Sequence, residues 1–200
     1  MKPARPPVLL LDVMGTLVYD PFYREVPRFF ELSLDELIAA KTPHAWGEFE
    51  RGHIDEAELA RTFFRDGRPL DVEGLKRCMR DAFRYLDGIE PLLADLRAAG
   101  CELHALSNYA PWYALIEERL QLSRYLEWSF VSCDLGLRKP EPEIYLTAAR
   151  RLERSPQELL FVDDREENCS AARALGLDAL LFEDAAALRG ALVARGLLAS

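Results

Sequence analysis

Val8-Leu9-Leu10-Leu11-Asp12-Val13-Met14-Gly15-Thr16-Leu17 is the stretch on which the reading of this chain turns. Four apolar residues run directly into a carboxylate, and a glycine and a hydroxyl follow. A short apolar run closed by turn chemistry predicts a buried strand. Such a strand delivers Asp12 to its own C-terminal tip. In open parallel sheets that edge is where ligands bind, so Asp12 is a candidate nucleophile or metal ligand.

Downstream of this strand the pattern changes twice. Residues 19–88 show no convincing strand. Ser33-Leu34-Asp35-Glu36 is a capping box opening a helix to about Lys41. The spacing predicts a second helix from Asp55 to about Arg65 and a third from Asp71 to about Leu86, with Leu75, Met79, Phe83 and Leu86 on one face. About seventy residues are too many for a loop. They read as a small all-helical module inserted after the first strand, leaving residues 1–18 and 89–200 as the main domain.

From Ile89 onward helices and strands alternate. Strands are predicted at Cys101–Leu106, Trp128–Ser132, Leu159–Val162 and Ala179–Phe182. Between them lie helices over Glu90–Ala99, Pro111–Leu120, Pro142–Leu152, Glu166–Leu175 and Asp184–Arg195. This alternation predicts an α/β fold with a doubly wound parallel sheet.

Composition sets the outer bounds. The chain has 200 residues, half of them hydrophobic, with net charge −9 and pI near 5.0. An acidic surface argues against nucleic acid or an anionic membrane as the main partner. No stretch approaches the ~20 apolar residues of a membrane span, and the segment Met1–Pro7 with its short apolar sequel does not read as a signal peptide. Cys78, Cys101, Cys133 and Cys169 form no C-x-x-C pair and read as reduced thiols of a cytoplasmic protein.

Polar residues cluster at the predicted strand ends. The first strand ends at Asp12, the second at Ser107-Asn108, the fourth at Asp163-Asp164; Lys139 lies in a loop after the third. Right-handed crossovers put all strand C-termini on one edge, so these groups gather in one crevice. Taken singly each has an ordinary reading as a cap, a turn or a surface loop; the ordered set does not. Carboxylates held together call for a cation, and oxygen ligands suit Mg²⁺. A carboxylate, Mg²⁺ and a lysine together form a site for phosphoryl transfer through an aspartyl-phosphate.

These residues resemble the haloacid dehalogenase-like hydrolase superfamily. Asp12 to Leu17 looks like its first motif, Asp-x-Asp-Gly-Thr-Leu. Ser107-Asn108 resembles the second, Lys139 within Arg138-Lys139-Pro140-Glu141-Pro142 the third, and Asp163-Asp164 with Asn168 the acidic fourth. The helical insert is similar to the cap found between the first two motifs in one branch. The resemblance implies a Rossmann-like core with a helical cap and phosphatase chemistry on a small phosphorylated metabolite, in a monomer or homodimer. It makes Asp12 the nucleophile and a Mg²⁺ ligand, Asp164 the second carboxylate ligand with Asp163 beside it, and the Met14 carbonyl a further ligand. Lys139 is then the second catalytic residue, with Ser107, Asn108 and Thr16 binding substrate.

One position departs from the pattern. The family's second acid, which protonates the leaving group, is Met14 here. General acid–base assistance is worth about 10²–10⁴ in rate. Replacement groups from the cap side would be Asp20, Tyr19, Tyr23 or His53, each of which reads first as structural. Three functions follow: a Mg²⁺-dependent phosphatase, a metal-free 2-haloacid dehalogenase, or a non-enzymatic relative that binds a phosphorylated ligand or a protein. The paired acids Asp163-Asp164 argue against the dehalogenase. Trp46, Phe49, Phe63, Phe64 and Phe83 read as cap core; Tyr109, Trp112 and Tyr113, directly after Asn108, read as helix packing with the crevice border as the alternative; His44 and His104 have no evident partner.

Overall fold

The computed structural model describes residues 8–199. The reading of Met1–Pro7 falls outside them. Strand β1 (Val8–Leu11) is followed by a short 3₁₀ turn (Pro21–Tyr23) and five helices: α1 (Glu25–Phe29), α2 (Leu34–Ala40), α3 (Ala45–Glu50), α4 (Glu56–Thr62) and α5 (Val72–Ala82). Alternation then runs α6 (Ile89–Ala98), β2 (Glu102–Ser107), α7 (Tyr113–Leu120), β3 (Glu127–Val131), α8 (Ser132–Leu135) and α9 (Pro142–Arg151). It ends with β4 (Leu159–Asp163), α10 (Glu166–Ala174), β5 (Asp178–Leu181) and α11 (Ala185–Ala194).

All five strands are parallel, in the order β3-β2-β1-β4-β5. The chain builds outward from β1 through β2 to β3, then returns to β4 on the other side of β1. That reversal is the switch point of a doubly wound sheet, and a crevice opens there beyond the strand C-termini.

Strand β1 is central because both its faces are apolar. Leu9 and Leu11 join the layer holding Leu92, Leu96, Ile116 and Leu192. Val8 and Leu10 join the opposite layer, with Ile144, Tyr145, Ala148 and Ala172. A continuous apolar run is what a strand covered on both sides requires. Complete burial of each leucine contributes about 1.5–3 kcal/mol.

Helix starts follow the sequence closely. Ser33 and Glu36 form the reciprocal capping box at α2, and Asp55 and Asp71 accept from the N–H groups of Glu58 and Gly74. Helix α5 stops at Ala82, four residues before the predicted end. The chain there turns extended: Tyr85 bridges Val18, and Leu86 N donates to Leu17 O at 3.0 Å. A backbone partner on the loop after β1 wins over the apolar helical periodicity. Phe49, Leu59, Phe63, Leu75, Met79 and Phe83 from the inserted helices share one contiguous apolar cluster with the sheet face of Leu9 and Leu11.

Candidate active site

Past β1 the backbone stays registered to β4, since Asp12 N donates to Val162 O at 2.9 Å. Leu11 pairs with Val162, so Asp12 stands beside Asp163 at the sheet edge. Lys139 reaches both from the loop before α9. Its Nζ lies 2.7 Å from Asp12 Oδ1 and 2.6 Å from Asp163 Oδ2. The structure thus brings together residues from three distant segments.

Asp163 is held from every side. Arg165 N donates to its Oδ1 at 2.8 Å, and Asn168 Nδ2 donates to both oxygens at 3.0 and 3.1 Å. Asn108 fixes the lysine: its Oδ1 accepts from Lys139 N at 2.8 Å and its Nδ2 donates to Lys139 O at 2.9 Å. Asp164 projects instead toward the loop after Asp12. Gly15 there has φ +81°, and a Cβ on it would lie 2.7 Å from Asp164 Oδ2. Only glycine permits this approach. Ser107 and Thr16 are fully buried, and their hydroxyls have no hydrogen-bond partner among the described residues.

Electrostatics mark the cluster as short of positive charge. Burial, reinforced by Asp163 and Asp164, pushes the Asp12 carboxyl up to about 7 against the opposing pull of Lys139. Burial and then Asp163 also raise Asp164. Lys139 sits above its ordinary value because Asp12 and Asp163 outweigh its own burial. Carboxylate oxygens of Asp12, Asp163 and Asp164 lie within 4.8 Å of one another, yet one buried ammonium serves them. A divalent cation with oxygen preference fits that donor set.

The site opens into a cavity of about 470 Å³, the size class of pockets for small organic ligands; its lining does not include Asp163, Ser107 or Thr16. Asp12, Met14, Asn108, Lys139 and Asp164 line it from the sheet edge. Val26, Phe63, Leu75 and Met79 from the inserted helices line it opposite in sequence, so they supply apolar wall to a site whose chemistry is polar. Helix α3 contributes Trp46 and Glu50 to the wall. Trp46 Nε1 donates to Glu50 Oε1 at 2.7 Å, and Arg138 Nη2 stands 2.7 Å from Glu50 Oε2. Burial pushes the Glu50 carboxyl up, and Arg138 opposes it. An ion pair between Arg51 and Glu141 and a hydrogen bond from Ser132 Oγ to Glu50 O tie the same helix to the loops around Lys139.

The structure sorts the predicted alternatives to an acid at position 14. Tyr19 Oη donates a hydrogen bond to Glu25 Oε2 at 2.8 Å, and His53 pairs with Glu48 at 2.9 Å. Neither lines the cavity, whereas Asp20 and Tyr23 do. His104 has partners after all: Ser129 Oγ at 2.7 Å and Glu102 Oε1 at 3.0 Å satisfy both ring nitrogens. Tyr109 is a wall residue rather than plain helix packing, while Trp112 is buried against Phe49 and donates to Glu56 at 2.7 Å. Sequence reading missed α3. Gly47 in its middle weakens the helical signal, and the Trp46–Glu50 spacing of one turn was the cue.

Residues 7–176 match the family described as haloacid dehalogenase-like hydrolase. The chain is 50% identical over 182 residues to the chloroplastic flavin mononucleotide hydrolase 1 of Arabidopsis thaliana, covering 91% of this chain and 74% of that one. It is 28% identical over 170 residues to a sesquiterpene phosphatase of Aspergillus oryzae, covering 78% and 82%. Among solved structures it resembles a family enzyme of Bacteroides thetaiotaomicron crystallised with magnesium and inorganic phosphate, with a TM-score of 0.73 at 22% identity over 92% of this chain and 99% of that one.

Proposed function

The chain belongs to the haloacid dehalogenase-like hydrolases, and on that premise we propose that it is a magnesium-dependent phosphatase acting on flavin mononucleotide or a phosphomonoester of similar size. Phosphate-releasing hydrolysis is the chemistry named for the two relatives above. The observation that carries the reading is Asp12, buried at the strand tip with Lys139 Nζ 2.7 Å from its Oδ1. The cavity supports the substrate class: about 470 Å³ with an apolar and aromatic wall suits an organic group far larger than a two- or three-carbon phosphate. Helices of residues 19–88 act in this reading as a cap over the crevice.

Each residue has a task. Asp12 attacks phosphorus, and the bond from phosphorus to the alcohol oxygen breaks as the aspartyl-phosphate forms. Water then attacks that phosphorus, and Asp12 leaves as a carboxylate with inorganic phosphate released. Lys139 favours the ionised form of Asp12 and positions it; Asn108 holds the Lys139 main chain. Asp163 braces Lys139, and Asn168 braces Asp163. Ser107 and Thr16, with hydroxyls still unpartnered, are donors for the phosphoryl oxygens. Asp12, Asp164 and the Met14 carbonyl would hold the magnesium ion, with Asp163 adjoining. The ion, when bound, supplies positive charge to the transferring phosphoryl group.

The test is phosphate release from flavin mononucleotide by the purified protein with magnesium and again with EDTA. Turnover that vanishes in EDTA and returns with magnesium is expected. Absence of release from flavin mononucleotide, p-nitrophenyl phosphate and acetyl phosphate alike would overturn the reading.

A further inference from the structure

An alkyl phosphate cannot part from its alcohol readily unless the departing oxygen receives a proton, and Met14 has none to give. We propose that Asp20 provides it, giving its carboxyl proton to the leaving oxygen as the ester bond to phosphorus breaks. As the resulting carboxylate, Asp20 then takes a proton from the water that attacks the aspartyl-phosphate, which restores it for the next cycle. This role rests on the phosphatase reading.

The loop after Asp12 brings Asp20 back to the site. Leu17 N and Val18 N both donate to Val13 O, at 2.9 and 2.8 Å, and Gly15 N donates to Val18 O at 2.8 Å. Met14 and Val18 therefore lie side by side as a parallel bridge. Val18 also bridges Tyr85, and Tyr19 N donates to Arg84 O at 2.9 Å. Asp20 follows at once, so its position relative to Asp12 is set by main-chain hydrogen bonds of the loop itself. It lines the same cavity as Asp12, Met14 and Asp164.

One Asp20 oxygen is already used: Oδ1 accepts from Phe22 N at 2.9 Å and caps the 3₁₀ turn Pro21–Tyr23. Among the described residues the other oxygen has no hydrogen-bond partner, which leaves it free for a proton. Burial lifts this carboxyl, and the Asp164 and Glu25 charges work the same way, against the Phe22 N–H and the Arg165 charge. The protonated form therefore persists to higher pH than for an ordinary aspartate, as a general acid requires.

Rival groups in the wall are worse placed. Glu50 is bound to Trp46 and Arg138, and Glu48 to His53. Burial raises the Tyr109 hydroxyl well above 10, which makes it a poor donor near neutrality. His44 is exposed at the N-cap of α3, and Tyr23 is half exposed.

The test compares Asp20→Asn in two backgrounds, wild type and Met14→Asp, on flavin mononucleotide and acetyl phosphate. It reads kcat/KM, which reports the first phosphoryl transfer. Asn keeps the oxygen that accepts from Phe22 N but carries no acidic proton. In wild type, D20N is expected to lower kcat/KM on flavin mononucleotide by about 10²–10⁴ and on acetyl phosphate little, because an acyl leaving group needs no proton. With an acid restored at position 14, D20N is expected to have little effect on either substrate. Equal losses on both substrates, equal losses in both backgrounds, or no loss at all would each overturn the proposal while leaving the phosphatase reading intact. A wild type inert on both substrates and on p-nitrophenyl phosphate overturns that reading and this one together. Should D20N not fold, Asp20→Ser, which can also accept from Phe22 N, carries the same comparison.

Discussion

Replacing Lys139 by methionine removes one ammonium and keeps a side chain of similar length. In the folded protein that ammonium lies 2.7 Å from Asp12 and 2.6 Å from Asp163, with its side chain 1% exposed. Removing one partner of a buried pair costs about 3–5 kcal/mol, because the charge left behind is neither hydrated nor paired. Asp163 keeps its bonds from Asn168 and Arg165 N, whereas Asp12 keeps no other cation in contact among the described residues. The loss therefore falls mainly on Asp12 and its neighbour Asp164. At about 2–4 °C per kcal/mol for a chain of this size, K139M should melt roughly 6–20 °C lower in EDTA. Millimolar magnesium should narrow the gap, since the cation binds the folded cluster and the variant has more unpaired negative charge for it to offset. Circular dichroism melts of both proteins, with and without magnesium, measure this directly. A fall of less than about 2 °C in EDTA, with the variant folded, would show that the lysine does not offset buried charge.

Three further outcomes can be checked with the same preparations. Met14→Asp should raise hydrolysis of alkyl phosphates, approaching the about 10²–10⁴ of full acid–base assistance where Asp20 is also replaced; no gain in either background would remove position 14 from the account. Asn168→Ala strips Asp163 of two bonds at 3.0 and 3.1 Å and should cost about 1–3 kcal/mol in urea unfolding. Phe49→Ala empties a site packed 5.4 Å from the Trp112 ring and 5.9 Å from Trp46; a loss of about 3–5 kcal/mol and a raised KM for flavin mononucleotide are expected, and an unchanged KM would detach α3 from substrate binding.

Much of this molecule is legible in one dimension. Val8–Leu11 reads as a strand covered on both sides, because all four positions are apolar and turn chemistry follows at once. Strand tips at Asp12, Ser107 and Asp163 and the lysine before α9 follow from where apolar runs stop. Helical segments between residues 19 and 88 follow from caps such as Ser33 and Asp71, whose bonds span three residues and need no distant partner. Such features depend on neighbours along the chain, and local chemistry encodes them.

Tertiary structure alone decided who faces whom across the crevice. Periodicity says which side of an element is apolar, not what stands opposite. Asn108 clamps a main chain 31 residues away, and Arg51, just past the end of α3, pairs with a glutamate 90 residues away. Helix α5 ended early because Leu17 offered its carbonyl to Leu86. Asp20, which in sequence is one of four candidate acids that read first as structural, reaches the cavity because the loop after Asp12 folds back on itself. Hydrogen bonds between segments far apart in the chain leave no spacing in the sequence, and they bring Lys139 and Asn108 to Asp12.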